Sequence, residues 1–254
     1  MKFVFILLSL ASVQIAFAAD RYELLSPDGN IKLVFIPGPD GNYSVTYKDR
    51  PLLLPSRINL LTDRNTTIDD YSVRQVKRRS NNTMIIFPVP EKRKYIPDIY
   101  NELSIRFKGP FGLIFRVYND GVAYRHVTHF KDSIKVLDEM AELRFEGHPV
   151  VYYPQVVKRE GVDIFHTSFE EPYQAKPIDS LDQEILAFTP VLVATEAGPK
   201  VVITESDLED YPGMFLAGTS SDRLEGNYAR YPVEEEITAG EFPAAIVKAR
   251  APYI

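Results

Sequence analysis

Apolar and polar residues alternate with a period of two in many short runs spread along this sequence. Clear examples are 43–47, 103–107 and 111–117. Successive side chains of a β-strand point to opposite faces, so this period is typical of half-buried strands. Turn-forming residues separate the runs, as in 27–29 (Pro-Asp-Gly) and 119–121 (Asn-Asp-Gly), where a hairpin is expected. The pattern predicts an all-β fold, a large antiparallel β-sandwich with few short helices.

One segment, Ser133 to Phe145, competes for a helical assignment. Its apolar residues Leu137, Met140 and Ala141 fall near helical spacing. We expect a strand over 134–136, followed by irregular or helical chain.

Two long connections are also expected, over Pro88–Pro97 and Phe165–Asp182, because prolines interrupt the alternation there. Long loops on a sandwich are where binding sites usually lie.

Composition excludes several classes of function. The chain has 0 cysteines, which excludes disulfides and thiolate metal sites. The net charge is -6, and the basic residues are dispersed apart from Lys77–Arg79 and Lys92–Lys94, which we interpret as solvated strand ends. No broad basic face for a nucleic acid is therefore expected.

The first 18 residues have the pattern of a cleavable signal peptide. Lys2 supplies the positive start, 3–13 are mainly apolar, and Ala16-Phe17-Ala18 has the small residues of a cleavage site. No later segment approaches the roughly 20 apolar residues that a membrane-spanning helix needs. A periplasmic or secreted protein without a membrane span is expected.

A cluster of carboxylates follows the apolar run Val201–Ile203: Glu205, Asp207, Glu209 and Asp210. Such acids repel one another unless water or a cation screens them. They could hold a metal ion. Alternatively, Ser206 and Glu209 have the spacing of a capping box, so the acids could stabilise the start of a short helical turn.

Four stretches together resemble the N-terminal domain of glycoside hydrolase family 97, the bacterial α-glucosidases and α-galactosidases. They are Ser26–Ile31, Phe115–Arg125, Tyr152–Pro154 and Ile203–Met214, the last with the pattern ITE-x-DL-x-DYPGM. The resemblance runs from about Tyr22 to the end. It implies a galactose-mutarotase-like super-sandwich over residues 19–254.

The resemblance also implies a function. In that family the catalytic carboxylate pair lies on a (β/α)₈ barrel that follows this domain, and no strand–helix alternation of that kind is present here. The chain is therefore expected to be an accessory domain, inactive alone, of an enzyme acting on α-linked oligosaccharides. Glu205 would be its one ligand to a calcium ion shared with barrel carboxylates, and Asp207, Glu209 and Asp210 would be structural.

Two other functions remain open at this point. A free-standing carbohydrate-binding module could use some of the 15 Tyr and 15 Phe, although the absence of Trp is mildly unfavourable. A periplasmic interaction domain without catalysis would need no sugar site.

Overall fold

The computed structural model describes residues 20–39, 41–64, 72–89, 92–196, 198–206, 208, 211–237 and 245–251. The expected signal peptide therefore lies outside the described residues. Within the described part the strands are β1 Tyr22–Leu25, β2 Ile31–Ile36, β3 Asn42–Tyr47, β4 Arg50–Thr62, β5 Val73–Ile86, β6 Tyr95–Phe107, β7 Phe111–Val117, β8 Val122–Thr128, β9 Val136–Arg144, β10 Val150–Pro154, β11 Tyr173–Pro177, β12 Leu186–Phe188, β13 Val191–Ala194, β14 Val201–Ile203, β15 Met214–Gly218, β16 Arg223–Tyr228, β17 Tyr231–Ile237 and β18 Ala245–Ala251. A 3₁₀ helix spans Ile178–Ser180.

The described strands form one long sheet and three smaller ones, and the prediction of an all-β antiparallel sandwich is confirmed. The long sheet has eight strands in the order β1-β2-β3-β4-β9-β16-β15-β12. Two four-stranded sheets have the orders β5-β6-β7-β8 and β11-β10-β13-β14, and β17 pairs with β18. Among the described residues, no helix has the length and apolar character needed to cross a membrane.

The first core joins strands β1 to β4 of the long sheet with the β5–β8 sheet. Phe35 on β2 and Phe115 on β7 are fully buried, with ring centroids 5.4 Å apart. Leu33, Ile58 and Leu103 are also fully buried in this cluster. Each side chain of this size contributes about 1.5–3 kcal/mol when removed from water.

The second core joins the other half of the long sheet with the sheet of β11, β10, β13 and β14, which we call the β10–β14 sheet although β12 belongs to the long sheet. Tyr153 on β10 and Val193 on β13 pack in one cluster with Phe145, Leu216 and Leu224. Glu205, which follows β14, therefore lies on the half of the molecule built around the second core.

The segment 133–145 is mostly strand, so the expected irregular or helical chain after residue 136 is wrong. Strand β9 runs from Val136 to Arg144 and pairs with β4 on one side and β16 on the other. Backbone hydrogen bonds to β4 along most of the strand, and to β16 over Glu142–Arg144, outweigh a weak helical spacing.

The predictions for the loops are confirmed in part. The hairpin at 119–121 is confirmed, with the Tyr118 N–H donating to the Gly121 carbonyl at 2.8 Å. The long connection expected over 165–182 instead contains β11 and the 3₁₀ helix. Strand β6 begins at Tyr95, inside the connection expected over 88–97.

Gly218 on β15 is a position where no side chain fits. A Cβ built there would lie 2.3 Å from the backbone carbonyl carbon of Leu181 and 2.5 Å from its Cβ. Gly218→Ala is therefore expected to lower the free energy of unfolding by about 1–3 kcal/mol, the usual cost of overpacking. Urea denaturation followed by circular dichroism measures this change.

Gly38 is the matched control, because a Cβ there meets nothing within 4 Å. Gly38→Ala should leave the urea midpoint nearly unchanged. Equal urea midpoints for Gly218→Ala and the native chain would contradict the close packing of Gly218 against Leu181.

Candidate functional site

Glu205 lies where the chain crosses from one sheet to the other. Strand β14, which ends at Ile203, belongs to the β10–β14 sheet, whereas β15, which begins at Met214, belongs to the long sheet. The Met214 N–H donates to both carboxylate oxygens of Glu205, with N···O distances of 2.8 Å each. The carboxylate therefore ties the start of the crossing segment to the strand that ends it.

A second segment that crosses between the two sheets places a hydroxyl group next to Glu205. Thr189 follows β12 of the long sheet and precedes β13 of the opposing sheet, and its hydroxyl lies 3.5 Å from Glu205 Oε1. Next to it, the Phe169 ring packs on Phe188 and Phe215 at centroid distances of 5.4 and 5.5 Å. Phe169, from the long 155–172 connection, thus packs on the chain neighbours of the two residues that contact Glu205.

Burial raises the pKa of Glu205, although the Met214 N–H and the Thr189 hydroxyl act in the opposite direction. The side chain is half-buried. In the part of the chain that the structure describes, no lysine, arginine or histidine forms an ion pair with it. A half-buried carboxylate without a cationic partner gains stability from an added cation, because the cation favours the charged form.

A second carboxylate, Glu139 on β9, lies close enough to influence this one electrostatically. Its side chain is only 9% exposed. The hydroxyl of Tyr228 donates to Glu139 Oε1 at 3.1 Å, and Tyr211 donates a second hydrogen bond to Glu139. Tyr211 belongs to the crossing segment that carries Glu205, so Glu139 anchors that segment to β9.

The two carboxylates are linked through one strand pair. Met214, which donates to Glu205, lies opposite Tyr228, which donates to Glu139, in the antiparallel pair of β15 and β16. The hydrogen-bonding register of this pair therefore fixes the position of both acids.

His126 on β8 lies behind Glu139, with Nε2 3.9 Å from Glu139 Oε1. Burial lowers the pKa of His126 to about 4. The imidazole is consequently neutral at pH 7, and the contact is not an ion pair. Within the described residues, neither ring nitrogen has a hydrogen-bond partner.

A cleft of about 320 Å³ opens in front of Glu139. Its polar lining consists of Asp138, Glu139, Tyr211, Asn227, Tyr228 and Arg230. Carboxylate, amide and hydroxyl oxygens coordinate hard cations and also accept hydrogen bonds from sugar hydroxyls, so the chemistry of this surface suits either ligand.

Of the acids singled out in the sequence, the structure describes only Glu205. Asp207, Glu209 and Asp210 lie outside the described residues, so the capping alternative is not tested. Sequence reasoning missed Glu139, Tyr211 and Tyr228. The available signal was the period of two that places Glu139 on the same strand face as the apolar Ala141 and Leu143, and the helical spacing of neighbouring residues obscured it.

The pKa of Glu139 is raised above its ordinary value of 4.5, first by burial and then by the charges of Asp138 and Glu205. Glu205→Gln removes one of these charges, so the Glu139 carboxyl is expected to titrate at lower pH in the variant. A ¹³C NMR titration of the Glu139 side-chain carboxyl measures this shift. Titration at the same pH as in the native chain would show that the two acids do not interact.

The same shift predicts a stability change with a definite sign. A carboxyl whose folded pKa is raised contributes stability that is complete below pH 4.5 and is lost as pH rises through the folded pKa. Glutamine cannot titrate. The unfolding free energy of the native chain relative to Glu139→Gln is therefore expected to fall as pH rises from 4.5 and then to level off.

Comparison with known proteins gives matches over most of the chain. The family model described as glycosyl-hydrolase 97 N-terminal matches residues 24–243. A retaining alpha-galactosidase of Bacteroides thetaiotaomicron is 34% identical over 236 residues, which cover 91% of this chain and 36% of that protein. The chain thus spans about a third of the length of this curated relative.

Solved structures share the fold. A glycoside hydrolase family 97 enzyme from Pseudoalteromonas sp. strain K8, in complex with acarbose, superposes with a TM-score of 0.69 at 20% identity, covering 83% of this chain and 32% of that one. A beta-arabinopyranosidase superposes with a TM-score of 0.71 at 20% identity, covering 91% and 39%. The match of the family model over residues 24–243 shows that the chain belongs to the glycoside hydrolase family 97 N-terminal domain family.

Proposed function

We propose that this chain is the accessory N-terminal domain of an exported α-glycosidase, inactive alone, that packs on a (β/α)₈ catalytic barrel and supplies Glu205 as one ligand of a calcium ion. The enzyme acts on an α-linked oligosaccharide and works in the periplasm or outside the cell. The observation that carries the proposal is Glu205 itself, a half-buried acid that has no cationic partner among the described residues of a family 97 domain.

The donor set fits a calcium ion only in part. Calcium takes about 6–8 oxygen ligands, and the described residues contain no group of three or more histidine, cysteine or acidic side chains that could hold a metal. Glu205 offers two carboxylate oxygens, and Tyr211 and Pro212 of the same crossing segment line a cleft with further oxygens. The remaining ligands would come from the partner domain.

Each residue near Glu205 has a definite task in this proposal. The Met214 N–H orients the carboxylate, and the Glu139–Tyr211–Tyr228 group holds the crossing segment in place. Calcium bound at Glu205 would supply a positive charge next to the reacting sugar. Glycoside hydrolysis needs an acid and a base or nucleophile on opposite sides of one bond, and in this proposal the barrel supplies both carboxyl groups.

The first test uses calcium and the isolated chain. A self-contained site occupied at 100 times its Kd would add about 2.7 kcal/mol, which corresponds to a rise in Tm of roughly 5–10 °C. Because one carboxylate is a minor part of a calcium site, we expect no resolvable rise in a thermal scan at sub-millimolar calcium. A rise of several degrees would show that the chain alone forms the site.

The second test uses a chimera in which this chain replaces the matching 236-residue part of the Bacteroides thetaiotaomicron alpha-galactosidase. Glu205→Gln should weaken calcium binding, measured by calorimetry, by at least about tenfold, since even supporting contacts of a metal site are worth 10–100-fold. Hydrolysis of a nitrophenyl α-galactoside should fall in parallel.

Glu146 provides the control, because it is exposed in the turn between β9 and β10. Glu146→Gln in the chimera should bind calcium as the unmodified chimera does. Unchanged calcium affinity in Glu205→Gln would show that Glu205 is not a ligand of the calcium ion. Hydrolysis of the α-galactoside by the isolated chain would show that the chain is not merely an accessory domain. Tight binding of maltooligosaccharides by the isolated chain would instead favour a free-standing binding module.

A further inference from the structure

The end of the β5–β6 hairpin projects from the sandwich. We name this end, residues 80–89 and 92–97, the β5–β6 arm. Met84, Ile85 and Ile86 are 52%, 48% and 63% exposed. Successive side chains of a strand point to opposite faces, so neither face of the arm is covered at these positions.

The β5–β6 arm is a defined hairpin. The Phe87 N–H donates to the Lys94 carbonyl at 2.9 Å, which closes the strand pair near its end. Further back, the Asn81 side-chain amide donates to Asp98 Oδ2 at 2.8 Å. The exposed apolar side chains are therefore presented on an ordered backbone.

The apolar surface continues on the described residues nearest the end of the arm. Phe87, Val89 and Tyr95 are 41%, 62% and 56% exposed. Exposed apolar patches of this kind mark interaction surfaces more often than single scattered residues do.

The hairpin that carries the arm is strongly basic in an acidic chain. Residues 73–107 contain eight lysines and arginines and three acids, a net charge of +5, whereas the whole chain carries -6. The rest of the chain therefore carries -11. Lys92, Arg93 and Lys94 are all exposed beside the apolar residues.

We propose that the β5–β6 arm docks on the surface of an anionic lipid bilayer. Its aliphatic side chains enter the interface between headgroups and acyl chains, and the three basic residues contact the anionic headgroups. Tyr95, whose ring lies 5.6 Å from Lys94 Nζ, is an amphipathic side chain of the kind that sits at headgroup level.

Two observations favour a bilayer over a protein partner. A flat protein surface covers one face of a hairpin, whereas lipid surrounds an inserted tip, and both faces of the arm are apolar and exposed. The uneven charge would also orient the chain, because an anionic surface attracts the basic hairpin and repels the acidic remainder of the chain. This inference does not depend on the proposed glycosidase role.

Sedimentation with vesicles tests the inference on the chain as it is. Binding is expected to vesicles that contain phosphatidylglycerol and to be much weaker with phosphatidylcholine alone. Replacing Lys92, Arg93 and Lys94 by glutamine should lower partitioning on the order of 100-fold, since each basic residue near an anionic surface contributes about fivefold. Ile85→Ser with Ile86→Ser should also reduce binding, and added salt should weaken it.

Matched variants elsewhere on the surface serve as controls. Lys108, Lys131 and Lys200 are exposed outside the arm, and replacing these three by glutamine changes the net charge by the same amount. Leu25 and Val202, 47% and 60% exposed, are the apolar controls for substitution by serine. Circular dichroism melts confirm that every variant folds.

Three results would overturn the inference. One is equal sedimentation with and without phosphatidylglycerol. Another is equal loss of binding in the arm and control variants. The third is a change of oligomeric state in ultracentrifugation that the arm variants abolish while vesicles remain unbound, which would assign the arm to an acidic protein surface.

Discussion

The continuity of the long sheet depends on one buried carboxylate. Glu142 on β9 is only 3% exposed, and it accepts hydrogen bonds from the backbone N–H and the Nε of Arg57 on β4 at 3.3 and 3.1 Å. The Nε of Arg223 on β16 lies 3.7 Å from the same group. A buried charge left without its partner costs about 3–5 kcal/mol, so this cluster specifies which strands flank β9.

Strand β9 connects this structural joint to the candidate site. Because side chains alternate along a strand, Glu142 and Glu139 point to opposite faces. One face closes the junction with β4 and β16, and the other presents the acid that anchors the Glu205 segment through Tyr211 and Tyr228. The geometry around Glu205 therefore rests on the pairing of a strand in the middle of the sheet, not only on the loop that carries it.

The sequence predicted the fold class well because alternation and turn chemistry are local signals. The hairpin at 119–121 and the strand before Glu205 follow directly from them. Strand β9 was misassigned in part, since its identity depends on two neighbours that are distant in the sequence. Glu139 was missed for the same reason: its importance comes from Tyr211 and Tyr228, more than 70 residues away in the chain.

Two hydrophobic cores share one continuous sheet, and this arrangement separates the molecule into cooperative units. The first core holds β5–β8 against β1–β4, and the second holds the sheet of β11, β10, β13 and β14 against β12, β15 and β16 of the long sheet. Substitutions well apart in space have nearly additive effects, and local opening follows contiguous units of structure. The two units are joined by β9, which pairs with β4 of the first half and β16 of the second, so sequence drift in the first half is tolerated at Glu205 only while this pairing is kept.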